Sequence, residues 1–315
     1  MARSRMPGIF TMSSLLIGSS LAAQQPLPRT VYEEKESVVK IEIHLKDFHD
    51  SARVSDQLKP CFEESDYCVI GTGVRVNDDG DVLTAAHVAK DTNVVSQALR
   101  DLAIGSEVMI AGPARNAEYV KASVSSTGGA FRASIKAIDA EHDVAVLEPD
   151  RGGLNQGLTA IDGGARIQLR GSRVVKLVVQ RPDATEAVFA FGFPTYSPGL
   201  ITTAGNIVLA FGSKNLTEDK KSGDTQLVPV YRAKLEINPG NSGGPLFRTS
   251  DGALLGIVSE IGDERDTVAT IIPATEIAKF LAANAVRWNA AAMKAPSSKR
   301  IKASRGKSKP TATEP

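Results

Sequence analysis

The residues best suited to chemistry lie between Leu235 and Phe247, in the run LEINPGNSGGPLF. Three glycines and two prolines fall within the seven residues Pro239 to Pro245, and each weakens the interior of a helix or strand. A tight loop that brings bare backbone close to something else is built from such residues. Ser242 sits at its centre with glycines on both sides, open to a ligand, and the neighbouring N–H groups can converge on one point. Acyl transfer needs that combination: a hydroxyl nucleophile beside an oxyanion site made of backbone donors. The competing interpretation is a polar turn between two strands, where serine and glycine are common.

The elements around this loop read as short strands. SVVKIEIHLK (37–46) alternates, with Val39, Ile41, Ile43 and Leu45 on one face, and the charged segment 47–67 reads as a surface loop. CVIGTGVRV (68–76), the turn NDDGD and VLTAAHVA (82–89) follow, with Asp-Gly between two apolar runs as a hairpin signal. Further strands are expected over 106–111, 131–139, 143–148, 173–179, 186–192, 227–235, 253–260 and 267–272. Many short strands with Gly/Pro turns predict an all-β sandwich or barrel, and the alternating helices of a βαβ fold are missing. One helix is predicted over 274–294, with Ile277, Phe280, Leu281 and Trp288 as its apolar stripe and Thr275 as N-cap.

The Ser242 loop resembles the nucleophile motif G-[D/N]-S-G-G-P of the trypsin-like, chymotrypsin-fold serine proteases. Its longer form INPGNSGGPL is similar to the HtrA/Deg branch. That resemblance demands a histidine and then an aspartate upstream. His87, in LTAAHV, matches the family's T-A-A-H and takes the place of the general base. Of the other histidines, His44 is expected to point outward from its strand, His49 lies in a charged loop, and His142 lacks the small-residue context. Asp143 opens the apolar run DVAVLE and matches the family's aspartate, whose role is to accept the Nδ1–H of His87; Asp139 and Glu141 are nearby alternatives. By the same resemblance, the backbone N–H groups of Gly240 and Ser242 hold the oxyanion.

The family's fold is two six-stranded antiparallel β-barrels with the site in the cleft between them. Here that places the first barrel over about 37–150, the second over about 165–273, and a C-terminal helix over 274–294. The run FAFGFPTYSPGLITTAGNIV (189–208) is similar to the early hairpin of the second barrel. GIVSE (256–260) is similar to the strand lining the specificity pocket. Ser259 would then support the buried aspartate, and the backbone from Glu260 to Gly262 would pair with substrate. Glu236, six residues before Ser242, occupies the place of the pocket-floor residue in the digestive enzymes and would favour cleavage after Lys or Arg. The resemblance covers about 37–284. The 31 residues that follow are too few for the PDZ domain usual in the HtrA branch, so regulation by that module is not expected. Protein or peptide substrates follow from the resemblance, and no cofactor or metal is called for. The alternative is a catalytically silent protease-like fold that binds peptides or a partner.

Composition is that of an ordinary globular chain of 315 residues, 42% hydrophobic and 23% charged. Arg3 and Arg5 precede a mildly apolar stretch, Ile9 to Ala23, that ends in small residues, which predicts a cleaved export signal over 1–23 and a polar leader over 24–36. No later stretch is apolar enough to span a membrane. A periplasmic or secreted location follows, and the single close pair Cys61 and Cys68 then reads as a local disulfide. From Arg287 onward eight Lys/Arg stand against the single acid Glu314, while the net charge is only +1. The body is therefore acidic, and the tail over 295–315 is expected to be disordered and able to touch polyanions.

Overall fold

In the computed structural model, residues 29–62, 67–112, 128–150, 174–195, 199–215, 227–261 and 267–291 are described. The expected export signal and basic tail lie outside them. The short helix α1 (Arg29–Glu34) and a 3-10 turn (Lys35–Ser37) stand where the sequence suggested only a polar leader.

Alternating apolar residues close into two rings of antiparallel strands. The first contains β1 (Val38–Leu45), β2 (Tyr67–Arg75), β3 (Val82–Thr84), β4 (Ser106–Gly112), β5 (Gly128–Asp139) and β6 (Val144–Pro149), in the order β1-β2-β3-β6-β5-β4. After the two-residue β7 (Lys176–Leu177), the second uses β8 (Ala187–Gly192), β9 (Ile201–Asn215), β10 (Leu227–Lys234), β11 (Pro245–Arg248), β12 (Leu254–Ile261) and β13 (Val268–Pro273). Its order is β11-β8-β9-β10-β13-β12, and the β11–β12 pairing closes the ring. The two-barrel, all-β expectation holds. Closing each sheet removes the free edges that would otherwise invite pairing with other chains.

Each ring has its own interior. Val39, Ile41, Val82, Ile110 and Leu147 fill the first, and Val188, Ile207, Leu246, Val258 and Ile271 fill the second. A third cluster lies between the rings: Val74, Leu83 and Val146 from the first meet Phe189, Phe247 and Ile272 from the second. Phe189 and Phe247 stack there with ring centroids 5.2 Å apart. Burying an aromatic of that size contributes on the order of 1.5–3 kcal/mol, so this layer holds the two halves in one relative position.

The helices depart from expectation. The run 82–89 is a strand only to Thr84, and the 16-residue helix α3 (Ala86–Asp101) follows; α2 (Lys59–Phe62) precedes it in the chain. The buried positions of α3 include Ala89, Thr92, Ser96 and Leu99, which have helical spacing. Thr92 and Ser96 are polar, so the stripe does not show in an apolar pattern. Segment 47–67 is more than a surface loop: it carries a 3-10 turn (Phe48–Arg53) and α2, and it buries Val54 and Phe62. The C-terminal helix α4 spans Ala274–Ala283 rather than continuing to Lys294. Ala285 turns into the left-handed region at φ 55°, the Asn284 amide donates to the Phe280 carbonyl, and the chain leaves to form β14 (Asn289–Ala290). The α4 N-cap is Pro273, and no side chain caps it, so Thr275 does not have that role. Trp288 packs against the core from beyond the helix. The expected strand over 173–179 shrinks to β7, which pairs parallel with β12 and β14. No helix among the described residues is long and apolar enough to cross a membrane.

Candidate active site

His87 is the second residue of α3, immediately after β3 ends. The N-cap of that helix, Ala85, has no side chain that can satisfy the first-turn N–H groups. A carboxylate from 56 residues away does it instead: the His87 backbone N–H donates to Asp143 Oδ1 at 3.0 Å. The imidazole lies on the same group, with Nδ1 at 3.0 Å from Oδ1 and 3.1 Å from Oδ2. An ionised carboxylate only accepts, so Nδ1 is the donor of this pair, and in the neutral imidazole Nε2 is then the nitrogen with the lone pair.

Asp143 reaches this position from a turn just before β6, with φ 53°. For a non-glycine residue that backbone is uncommon and costs about 1–3 kcal/mol, which the surroundings must over-determine. They do so with a second donor from the other barrel: Ser259 Oγ, on β12, donates to Asp143 Oδ2 at 2.5 Å. Burial pushes the Asp143 carboxyl up, but the hydrogen bonds and charge of His87, with the Ser259 hydroxyl, together hold it below its ordinary value. The neighbouring acid Asp139 is spent locally. Its Oδ1 accepts the N–H groups of Glu141 and His142, and its Oδ2 meets His142 Nδ1 at 2.7 Å.

The serine loop is shaped by backbone. Asn238 to Asn241 form a turn closed by the Asn241 N–H on the Asn238 carbonyl at 3.0 Å, with Pro239 second and Gly240 third at φ 94°. Those features make a type II turn, whose third position favours glycine. The Thr195 N–H donates to the Pro239 carbonyl at 3.0 Å. In a trans peptide the N–H points opposite to the C=O, so the Gly240 N–H is aimed away from Thr195. Among the described residues, neither the Gly240 nor the Ser242 N–H has a backbone acceptor. Gly243, at φ 79°, lets the loop meet the first barrel: a Cβ there would fall 2.1 Å from Thr84 Oγ1. At Gly71 a Cβ would meet both Val88, the neighbour of His87, and the Ser242 carbonyl. The serine loop and the start of α3 therefore converge on one bare stretch of β2. Ser242 is half-buried and Asn241 is buried.

With this geometry in place, comparison with known proteins is specific. The sequence profile described as a trypsin-like peptidase domain matches residues 71–257, more than half of the chain. The chain belongs to the trypsin-like peptidase family. This peptidase domain is 26% identical over 277 residues to a protein named "Probable periplasmic serine endoprotease DegP-like" from Ectopseudomonas mendocina, covering 79% of the chain and 47% of the relative. It is 27% identical over 153 residues to "Protease Do-like 4, mitochondrial" of Arabidopsis thaliana, covering 49% of the chain and 25% of the relative. The chain thus spans between a quarter and a half of these curated relatives. Among solved structures, the active form of the Rv3671c protease from M. tuberculosis superposes with a TM-score of 0.53 at 18% identity, over 92% of this chain and 96% of the other. That likeness shows the fold, and the curated relatives bear DegP-like and Do-like protease names.

Other expected positions fare unevenly in this peptidase domain. The Glu260 backbone lies on β12 opposite Thr270, past the last β11 partner, Ile257. Residue 262 lies outside the described residues. Glu236 is exposed between buried Leu235 and Ile237. His44 is only partly turned outward: it bonds the fully buried Glu42 at 2.9 Å and stacks on Tyr67. Cys61 and Cys68 are joined, with their Cα atoms 5.1 Å apart. One residue near the site escaped the sequence reading, Thr72 on β2, which touches the serine loop through both its backbone and its hydroxyl. Its signal was G-T-G, since glycines inside a strand mark close backbone approach.

Proposed function

We propose that this trypsin-like domain is an exported serine endopeptidase that acts through an acyl-enzyme intermediate. The observation that carries the reading is the imidazole of His87 held through Nδ1 on buried Asp143, beside a glycine-built serine loop in which the Gly240 and Ser242 N–H groups have no backbone acceptor among the described residues. Ser242 Oγ attacks the scissile carbonyl carbon as His87 Nε2 takes its proton. The carbonyl oxygen becomes an oxyanion between the N–H groups of Gly240 and Ser242. Collapse of that intermediate breaks the C–N bond, and the proton on His87 goes to the leaving amine. Water then repeats the sequence, and the acyl group leaves as a carboxylic acid with Ser242 restored. Asp143 stays ionised throughout, fixing the tautomer and offsetting the charge of the imidazolium.

Protein and peptide substrates would enter as an added strand beside Ser259 and Glu260, where the β11 edge has ended. Asn241 bears on activation. Its neutral side chain is buried against the bare Cα of Gly192, where a Cβ would fall 2.2 Å from Asn241 Oδ1. An amide there forms no ion pair with an ammonium, so local loop bonds and not a freed amino terminus shape the site. Export is supported by the Cys61–Cys68 disulfide and the periplasmic name of one relative.

The test is an organophosphonate probe followed by peptide hydrolysis. Wild-type protein should be labelled at Ser242. Ser242→Ala should keep its fold, lose labelling, and lose activity on the order of a million-fold, as triad deletions do in another serine protease. Labelling that persists in Ser242→Ala would assign the nucleophile elsewhere.

A further inference from the structure

Thr72 makes an unusual set of contacts for a single buried side chain. It lies in β2 of the first barrel and is fully buried. Its backbone N–H donates to the Ser242 carbonyl at 2.9 Å. Its hydroxyl donates to the Gly240 carbonyl at 2.7 Å and accepts the Phe193 N–H at 2.9 Å. Thr84 Oγ1 donates to the Thr72 carbonyl at 2.8 Å and holds the residue from behind. Gly240, Ser242 and Phe193 all belong to the second barrel, so one residue of the first barrel ties down three points of the second.

We infer that Thr72 is a positioning residue for oxyanion stabilisation, aiming the Gly240 and Ser242 donors of one barrel from the other. This rests on the peptidase reading above. The Gly240 N–H is aimed by the Thr195 bond to the Pro239 carbonyl, and the next peptide is held at its N–H end by the Asn241 bond to the Asn238 carbonyl. Thr72 holds the other end of that peptide, through the Gly240 carbonyl. Since it also holds the Ser242 carbonyl, it fixes the loop on both sides of the Asn241 peptide. Thr84 and Thr72 share the strand pair that leads to His87, so the same residue sets how far the nucleophile stands from its base. Misplacement by about 1 Å is enough to cost on the order of a hundred-fold in rate.

A hydroxyl is required because it must donate and accept at once. Valine has the same shape and does neither, so Thr72→Val would leave the buried Gly240 carbonyl and Phe193 N–H unpaired, and the Gly240–Asn241 peptide, then held only by the Asn241 bond to Asn238, would shift to relieve that. Serine retains the hydroxyl.

The experiment compares wild type, Thr72→Val and Thr72→Ser, with active sites titrated by the phosphonate and folding checked by thermal melting. Thr72→Val should lower kcat per titrated site by roughly 10–100-fold with KM changed less than about twofold. A peptide boronic acid, whose adduct is tetrahedral, should bind more weakly by the same factor as kcat/KM falls, while a product peptide binds with unchanged affinity. Thr72→Ser should recover most of the lost kcat. A purely structural role would lower the melting temperature and leave kcat per titrated site intact, and that result overturns the inference. A loss confined to KM, or Thr72→Ser as impaired as Thr72→Val, overturns it too. If Thr72→Val does not fold, Thr72→Cys, with only a weak S–H donor, carries the same comparison: kcat at least about tenfold down supports the role, and kcat within about twofold of wild type overturns it. Absence of labelling at Ser242 in the wild type overturns the peptidase reading and this role with it, an outcome distinct from normal labelling with an unaffected Thr72→Val.

Discussion

The two barrels bring different materials to the cleft. The first presents side chains whose charge state matters, His87 at the start of α3 and Asp143 before β6, joined by three contacts of 3.0–3.1 Å. The second presents shaped backbone: a turn with Gly240 at φ 94° and Gly243 at φ 79°, on which Ser242 rides. Each barrel also reaches across with a hydroxyl, Ser259 to Asp143 and Thr72 to Gly240. In the proposed mechanism, proton transfer depends on the first kind of material and charge stabilisation on the second. A change of one charge should therefore damage the first barrel's contribution without unfolding it, and a change of one methyl group should damage the second's by steric force.

The largest effect is expected from Asp143→Asn. An amide can offer Nδ1 an N–H, which favours the wrong tautomer, and turnover should fall by about ten-thousand-fold with the fold retained. Because the Asp143 carboxyl is held below its ordinary value, it contributes stability that is present above the unfolded value of about pH 4 and is lost as pH falls through the lower folded value. Asp143→Asn should accordingly lose less stability than wild type on acidification below that point, measured by denaturant unfolding. Identical acid curves would show that the carboxylate is not held by its partners.

Gly243→Ala probes the second barrel. Its Cβ would stand 2.1 Å from Thr84 Oγ1 and 2.3 Å from the Thr72 carbonyl, at a backbone angle that alanine seldom adopts. The substitution should cost roughly 2–4 kcal/mol of stability and, in the protein that folds, about a hundred-fold in kcat. Wild-type melting and turnover would mean that the two barrels do not touch there. The smallest functional effect should come from replacing Cys61 and Cys68 together by serine. Closing so short a loop contributes roughly 2–3 kcal/mol, yet the bridge lies at the far end of β2 from the serine loop, so kcat should change less than about threefold. A thiol assay on native protein should find none free, and two titratable thiols would refute the bridge.

Much of the architecture was legible in the chain because strand and turn preferences act over a few residues. The runs ending near β1, β2, β5, β6, β10, β12 and β13 alternate or carry continuous apolar stretches, and the DDG turn separates β2 from β3. Helix α3 was not legible, since Thr92 and Ser96 face its core. The outward-pointing polar face expected of β1 was also misleading, because Glu42 on that face is fully buried between Lys40 and His44.

The sequence by itself determined the chemical types at the candidate site: a serine set among glycines, a histidine after small residues, an aspartate opening an apolar strand. Those choices are local, because φ preference and side-chain chemistry belong to individual residues. Only the tertiary structure decided that Thr72 reaches Gly240 over 168 residues and that Asp139 is occupied by its own turn, while the Ser259 contact with Asp143 over 116 residues was expected from the family resemblance and not from any local pattern. Such contacts leave no periodicity in the chain. They exist because two closed barrels, packed through the Phe189–Phe247 layer, bring a strand edge, a helix start and a loop within hydrogen-bond reach of one another.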